Sequence, residues 1–175
     1  WSDSLHPRVQ RCQSSSDGAR TFHSPLAAAA LHSTVANHAV QGRLVFPGAG
    51  YLETARAATA PRPALCGVFF LQPLAVKAAA VLLECAVRDG RFEVQSGELE
   101  GAWTEAAAHC SGAASAVDQR RRAVDVSVCS SSCAHAASVG VLYDGFDAVG
   151  LQHGPRFRTL VRAWGGVAAP VLSLI

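Results

Sequence analysis

Residues 37–53 read NHAVQGRLVFPGAGYLE, and the order of residue types in this stretch decides the expected fold. The apolar run 43–46 has the length of a short strand. Pro47 follows it, and proline fits the start of a helix because its missing N–H would have no intrahelical partner there. The residues that come next, GAGYLETARAATA, are mostly strong helix formers, and the PRP at residues 61–63 ends the pattern. The stretch therefore predicts a strand that leads directly into a helix beginning near Gly48.

Short apolar or alternating runs lie on both sides of this helix and are separated by turn signals such as Asp89-Gly90. Strands that surround a single helix rich in Ala and Leu are typical of an antiparallel sheet wrapped around that helix, which is an α+β arrangement. The predicted strands are residues 21–26, 43–46, 65–76, 79–87, 91–95 and 103–110.

The composition changes beyond this region. The segment 114–138 is rich in Ser and Ala and carries a basic run at 120–122, so we interpret it as an exposed linker. Residues 139–175 would begin a second unit that is too short to bury a core of its own. The expected domains are thus 1–113, the linker 114–138, and the incomplete unit 139–175. Within the last unit the pattern predicts a helix at 139–149, with Leu142, Phe146 and Val149 on one face, and strands at 156–164 and 167–174.

Composition excludes several classes of protein. Half of the residues are hydrophobic and 16% are charged, which is enough apolar material for a packed core. A net charge of +2 is too small to indicate binding to nucleic acid or to an anionic membrane, and no apolar run is long enough to span a bilayer. The six cysteines come without a secretory signal, so we expect reduced thiols and a cytoplasmic location. The chain opens with WSDSLHP and has no Met, so we expect it to be a piece of a longer protein.

His38 is the strongest candidate for a catalytic base, since an imidazole can take up and release a proton near neutral pH. Gly42 permits a positive φ or a close approach of the backbone. The first N–H groups of the helix at Gly48 lack intrahelical partners and carry the positive end of the helix dipole. A base beside such a site suits removal of a proton next to a carbonyl group. The alternative is a histidine that serves only in the core.

These residues carry a resemblance to a known family. His38, Gly42 and Pro47 form the motif H-x-x-x-G-x-x-x-x-P, which resembles the motif of dehydratase domains in modular polyketide synthases and related fatty-acid-type synthases. The resemblance implies a double hot dog fold, in which two sheet-wrapped helices lie side by side with the active site between them. Further similar stretches are HP at 6–7, GVFFLQPLAV at 67–76, WTEAAAHCSG at 103–112 and GLQHGPRF at 150–157.

The resemblance also implies a reaction, the loss of water from a β-hydroxyacyl thioester held on the phosphopantetheine arm of an acyl carrier protein. His38 would remove the C2 proton, and amides at Gly48 would stabilise the enolate-like oxygen. A carboxylic acid from the second hot dog would protonate the departing hydroxyl. Neither a metal nor a directly bound cofactor is implied, and the expected partners are the carrier protein and neighbouring domains of a homodimeric megasynthase. The residues expected to bind substrate are Gly42, Pro47, Gly48, His153 and Pro155.

The sequence departs from the family pattern at two places. The family's acid is an Asp in D-x-x-x-Q/H, yet no aspartate of this sequence has Gln or His four residues later. Both tyrosines of G-Y-x-Y-G-P-x-F are replaced, by Leu151 and His153. Because one general acid or base contributes roughly 10²–10⁴-fold, we expect the chain alone to be nearly inactive. Two alternatives stay open, a non-catalytic dehydratase-like structural domain and a product-template-like cyclase domain.

Three other patterns have ordinary explanations. GAG at 48–50 would need a glycine in place of Glu53 to form a dinucleotide-binding motif, and the surroundings are not βαβ. Cys129, Cys133 and His135 lie in the Ser-rich linker without a fourth metal ligand. His153 either makes a polar contact near the substrate or serves only in the turn before Gly154.

Overall fold

The computed structural model of the chain describes residues 2–6, 8–59, 63–76, 81–98, 106–115 and 135–165. The chain divides into two compact units. The first comprises Trp1–Ala36 and Arg43–Gln119, and the second comprises Asn37–Gly42 and Arg120–Ile175. The predicted division placed residues 37–42 in the first domain, whereas they pack as part of the second unit.

The described part of the first unit contains two helices, α1 (Ala29–Val35) and α2 (Gly48–Ala58). Its strands are β1 (Ser2–His6), β2 (Val9–Ser14), β3 (Arg20–Pro25), β5 (Arg43–Leu44), β6 (Ala64–Phe70), β7 (Val81–Arg88), β8 (Arg91–Glu98) and β9 (Ala107–Ser115). The described part of the second unit contains β4 (His38–Val40), β10 (His135–Ala137), α3 (Val139–Ala148), β11 (Leu151–His153), a single 3₁₀ turn at Pro155–Phe157 and β12 (Ala163–Gly165).

Within the described residues, seven strands of the first unit form one antiparallel sheet in the order β1-β2-β3-β7-β8-β9-β6. Its central hairpin joins β7 to β8 through Asp89 and Gly90, whose φ angles are 50° and 71°. A two-residue turn with two positive φ angles matches the right-handed twist of the strands that it joins, and Asp-Gly is well suited to it.

Helix α2 packs on β2, β6, β7 and β8, and the core lies between the helix and the sheet. Side chains alternate along β7, so that Leu83 and Cys85 are almost fully buried. Gly50 lets the helix pass over the Phe46 ring, since a Cβ at this position would lie 2.6 Å from that ring. The helix face that enters the core is formed by Gly50, Tyr51, Thr54, Ala55 and Ala58.

The expected α+β arrangement around α2 is confirmed. Pro47 lies immediately before the helix, as predicted, and β3, β7 and β8 match the predicted strands to within a few residues. The strand predicted at 65–76 ends at Phe70, before Pro73, and the one predicted at 103–110 is described only as Ala107–Ser115, which runs past the expected start of the linker. The pattern missed β1, β2 and α1.

The second unit contains two small antiparallel pairs, β10 with β12 and β11 with β4. The helix prediction for 139–149 is confirmed by α3, but the predicted apolar face is not the most buried one, since Leu142 and Phe146 are only half-buried. Tyr143 is the buried residue of this helix, whereas Val149 is 68% exposed. The phenol explains the difference, because Tyr143 Oη donates to the Phe157 carbonyl at 3.2 Å and accepts from the Leu160 N–H at 3.1 Å.

The strand predicted at 156–164 is also wrong. Pro155 opens a 3₁₀ turn instead. The Tyr143 phenol forms hydrogen bonds with the backbone of Phe157 and Leu160, which would otherwise have to pair with another strand. Only Ala163–Gly165 forms a strand. The strand predicted at 167–174 and most of the linker at 114–138 lie outside the described residues. Among the helices that the structure describes, none has the length and apolar character needed to cross a bilayer.

Candidate active site

His38 begins strand β4, directly opposite His153 in the antiparallel pairing with β11. The two strands are held together at both ends. The Gly154 N–H donates to the Asn37 carbonyl at 2.8 Å, and the Gln41 N–H donates to the Gly150 carbonyl at 2.7 Å. This pairing brings the H-x-x-x-G-x-x-x-x-P stretch against the GLQHGPRF stretch, although they lie far apart in the sequence.

Glycines allow the two strands to come this close. A Cβ on Gly154 would lie 2.4 Å from Asn37 Oδ1, which is closer than real Cβ contacts, and 3.1 Å from Asn37 Cα, which is tighter than most of them. Gly42 has a φ of 72°, next to Gln41 at 50°, so of the two expected uses of this glycine the structure shows the positive φ. The Gly42 N–H donates to Gln152 Oε1 at 2.8 Å, which ties the end of β4 to β11 a third time.

Aromatic rings surround the two histidines. The His38 ring centroid lies 5.7 Å from that of His153 and 5.2 Å from that of Phe157. His153 stacks on Phe157 at 6.0 Å with an interplanar angle of 19°. Tyr143 and Phe146 of α3 present their edges to His153 at 6.4 and 6.0 Å. His38 thus packs against a cluster of aromatic rings.

The electrostatics of this cluster favour a neutral His153. Burial lowers the pKa of His153, and electrostatic repulsion from the basic groups of His38 and Arg158 lowers it further. Its Nδ1 atom is buried without a hydrogen-bond partner among the described residues. Arg158 donates from Nε to the His153 carbonyl at 2.8 Å, and its guanidinium lies over the Tyr143 ring at 5.4 Å. A proton on His153 would therefore add a charge beside two other basic groups.

The other predicted site residues divide between the two units. Pro155 is exposed and opens the 3₁₀ turn of the second unit. Pro47 and Gly48 belong to the first unit, where α2 begins without a side-chain cap, and Gly48 and Ala49 are exposed. A Cβ on Gly48 would lie 3.4 Å from the Phe70 ring, so a small residue suits this position.

A buried histidine in the first unit was not predicted from the sequence. His109 is 3% exposed, with Nε2 2.7 Å from Ser96 Oγ and Nδ1 3.1 Å from the Gln72 carbonyl. It stacks on Tyr51 with an interplanar angle of 8°. Burial lowers the pKa of His109. The only sequence signal was a polar residue inside an apolar run, and both ring nitrogens are occupied by the fold itself.

Neither cysteines nor metal ligands add to the site in the part of the chain that the structure describes. Cys12, Cys66, Cys85 and Cys110 are free thiols, of which Cys85 and Cys110 are buried. The described residues contain no group of three His, Cys, Asp or Glu side chains that could hold a metal ion. Cys129 and Cys133, which were not expected to bind a metal, lie outside the described residues.

Comparisons with known proteins identify the relatives of the chain. The family model described as polyketide synthase dehydratase domain matches residues 6–98. The polyketide synthase ThaG of Burkholderia thailandensis is 33% identical over 144 residues, which cover 74% of this chain and 3% of ThaG.

Solved dehydratase domains share the fold. The dehydratase domain of a mycocerosic acid synthase-like polyketide synthase has a TM-score of 0.75 at 22% identity, covering 99% of this chain and 64% of that one. The CurK dehydratase, solved as an inactive histidine-to-phenylalanine mutant, has a TM-score of 0.76 at 17% identity, covering 93% and 62%. The chain thus spans less than two thirds of these domains. The likenesses confirm the predicted hot dog fold, and the family match shows that the chain belongs to the polyketide synthase dehydratase domains.

Proposed function

We propose that the chain takes part in dehydrating a β-hydroxyacyl thioester on the phosphopantetheine arm of an acyl carrier protein, with His38 as the base. The observation that supports this most directly is the pairing of β4 with β11. It sets the imidazole of the first family motif against His153 and Phe157 of the second. The two stretches that resemble dehydratase motifs are therefore paired with each other, as we would expect if both belong to one active site.

In this proposal His38 removes the C2 proton of the substrate. N–H groups at the exposed start of α2, near Gly48, stabilise the negative charge that develops on the thioester oxygen, and one such donor is worth roughly 10²–10³-fold in rate. Gly42 and Pro47 set the backbone between the base and the helix. His153 and Pro155 line the path of the acyl chain.

The general acid is not assigned to a residue of this sequence. The CurK dehydratase is inactive as an aspartate-to-asparagine mutant as well as in its histidine-to-phenylalanine form, which supports a pairing of a histidine with an acid in this class of enzyme. Since no aspartate here stands in D-x-x-x-Q/H, we propose that the acid comes from a part of the second hot dog that is not in this sequence. The chain assayed alone would then be nearly inactive.

The test is a dehydration assay with a β-hydroxyacyl thioester on a carrier protein, in which the enoyl product is measured by mass spectrometry. The chain is assayed alone and with the C-terminal half of a polyketide synthase dehydratase added. We expect product only in the second case, and a loss of roughly 10²–10⁴-fold on His38→Phe. His32→Phe is the matched control, because His32 is exposed on α1. Full activity of the chain alone would refute the missing acid, and an unaffected His38→Phe variant would refute the base.

A second candidate is a non-catalytic structural domain of a synthase. The observation in its favour is the replacement of both motif tyrosines by Leu151 and His153. This candidate predicts no enoyl product in either assay and no effect of His38→Phe on any measured rate.

The partners follow from the proposed reaction. We propose that the chain meets a carrier protein and neighbouring domains within a homodimeric synthase, in the cytoplasmic location predicted from its cysteines. Binding of a carrier protein with and without its phosphopantetheine arm, measured by calorimetry, tests the first of these contacts. Tighter binding with the arm is expected.

A further inference from the structure

His153 lies opposite His38 in a register that leaves the two rings side by side. We propose that His153 is a positioning residue, a neutral ring that holds the His38 imidazole in place with Phe157 and offers it an uncharged surface when it takes up a proton. This inference rests on the proposed function of His38 and assigns a role to the residue that replaces the second motif tyrosine.

The geometry of the cluster fixes the His153 ring from several directions. Phe157 stacks on one of its sides at 6.0 Å, while Tyr143 and Phe146 contact it edge-on. The backbone of His153 is held as well, since its carbonyl accepts from Arg158 and the next residue, Gly154, donates to Asn37. A ring held in this way is a firm surface for the His38 ring, which lies 5.7 Å away.

Charge explains why the surface should be neutral. The basic groups that face His153 are His38 on β4 and Arg158 after the 3₁₀ turn, and the titratable group of α3 in contact with it is the Tyr143 phenol. A proton on His153 would be buried beside both basic groups, and its Nδ1 has no acceptor among the described residues. A neutral ring does not repel the proton that His38 takes up, and the faces of aromatic rings attract the cation that results.

A permanent positive charge at position 153 would have the opposite effect. At a separation near 6 Å and an effective dielectric constant near 20, it would weaken proton uptake by His38 by roughly 10- to 100-fold. An uncharged ring of similar shape would not. Substitution of His153 by Arg and by Phe therefore distinguishes an effect of charge on His38 from an effect of packing alone.

The experiment titrates the His38 ring by NMR in the 175-residue chain, with the His38 signal assigned from its loss in His38→Phe. We expect His153→Arg to lower the midpoint of the His38 titration by about 1 to 2 pH units, and His153→Phe to leave it near the wild-type value. His135→Arg adds the same charge at an exposed position of β10 and should have no effect. Equal midpoints in His153→Arg and His153→Phe would overturn the inference.

The reciprocal titration covers the case in which His153→Arg does not fold. His38→Phe removes one of the basic groups that lower the pKa of His153, so the midpoint of His153 must rise in that variant, and an unchanged midpoint overturns the inference. In the complemented dehydration assay, His153→Arg should lower kcat more than His153→Phe does. If the wild type gives no product in the complemented assay while His153→Arg still shifts the His38 titration, the proposed function is refuted but the electrostatic contact between the two rings is not.

Discussion

Substitution of His23 should destabilise the first unit through a buried carboxylate on its sheet. Glu84 of β7 lies between His23 of β3 and Gln95 of β8, each directly opposite it in the strand pairing. His23 Nε2 is 2.5 Å from Glu84 Oε2, and Gln95 Nε2 donates to Oε1 at 2.5 Å. Glu84 is only 9% exposed, so both oxygens depend on these neighbours instead of bulk water.

His23→Leu removes the partner of one carboxylate oxygen and leaves the carboxylate buried. Loss of one partner of a buried polar group costs about 1–3 kcal/mol, and more when the group is charged. For a chain of this size each kcal/mol lowers Tm by about 2–4 °C. We therefore expect a fall in Tm of roughly 2–12 °C near neutral pH.

The stability deficit of His23→Leu should also depend on pH in a defined direction. Burial alone raises the pKa of Glu84, but hydrogen bonds from His23 and Gln95 outweigh burial and hold it below its ordinary value of 4.5. A carboxyl whose pKa is lower in the folded than in the unfolded chain stabilises the fold above its unfolded pKa. That contribution is lost as the pH falls through the folded pKa. The deficit of His23→Leu should therefore be full at neutral pH and shrink below the ordinary carboxyl pKa.

Thermal unfolding followed by circular dichroism measures this deficit at about pH 7 and about pH 3.5. The control repeats His23→Leu in a Glu84→Gln background, where no carboxylate is present and the substitution should cost much less. A deficit that is the same at both pH values, or that persists in the Glu84→Gln background, would refute the reasoning.

Three further predictions concern close packing and backbone hydrogen bonds. Gly50→Ala should lower Tm, because its Cβ would meet the Phe46 ring at 2.6 Å and overpacking costs about 1–3 kcal/mol, partly offset by better helix propensity. In a Phe46→Leu background the same substitution should lower Tm less. Tyr143→Phe should cost about 1–3 kcal/mol in denaturant unfolding, because two backbone groups lose the phenol that pairs with them. Gly154→Ala should lower the rate of dehydration in the complemented assay, because a Cβ 3.1 Å from Asn37 Cα pushes β4 away from β11. The accompanying fall in Tm should be too small to explain that loss of rate. An unchanged value in any of these measurements would contradict the packing described.

The elements that the sequence predicted well are those with strong local signals. Pro47 and the helix formers after it define the start of α2, and the Asp89-Gly90 pair defines the β7–β8 hairpin. In both cases the backbone preference of one or two residues decides the local structure, so that distant contacts are not needed to predict it.

The parts that could not be predicted depend on contacts between distant residues. Strands β4 and β11 have three residues each, too few for a recognisable period, and each is set by pairing with the other. The contact of His38 with His153 follows from that pairing alone. The apolar pattern of α3 likewise gave no sign that Tyr143 would be the buried residue, because its phenol satisfies backbone groups well beyond the helix.

The replaced tyrosines bear on the choice between an enzyme and a scaffold less than the sequence suggests. Leu151 and His153 alternate with the exposed Gln152 on β11, so they share one face of the strand. On that face a neutral imidazole and a phenol are both flat and uncharged near neutral pH, so His153 preserves the kind of surface that tyrosine would present to His38. The substitution therefore removes no charge from the surroundings of the proposed base. The decision between enzyme and scaffold then rests on the acid, because a base without a proton donor for the departing hydroxyl supports only half of a dehydration.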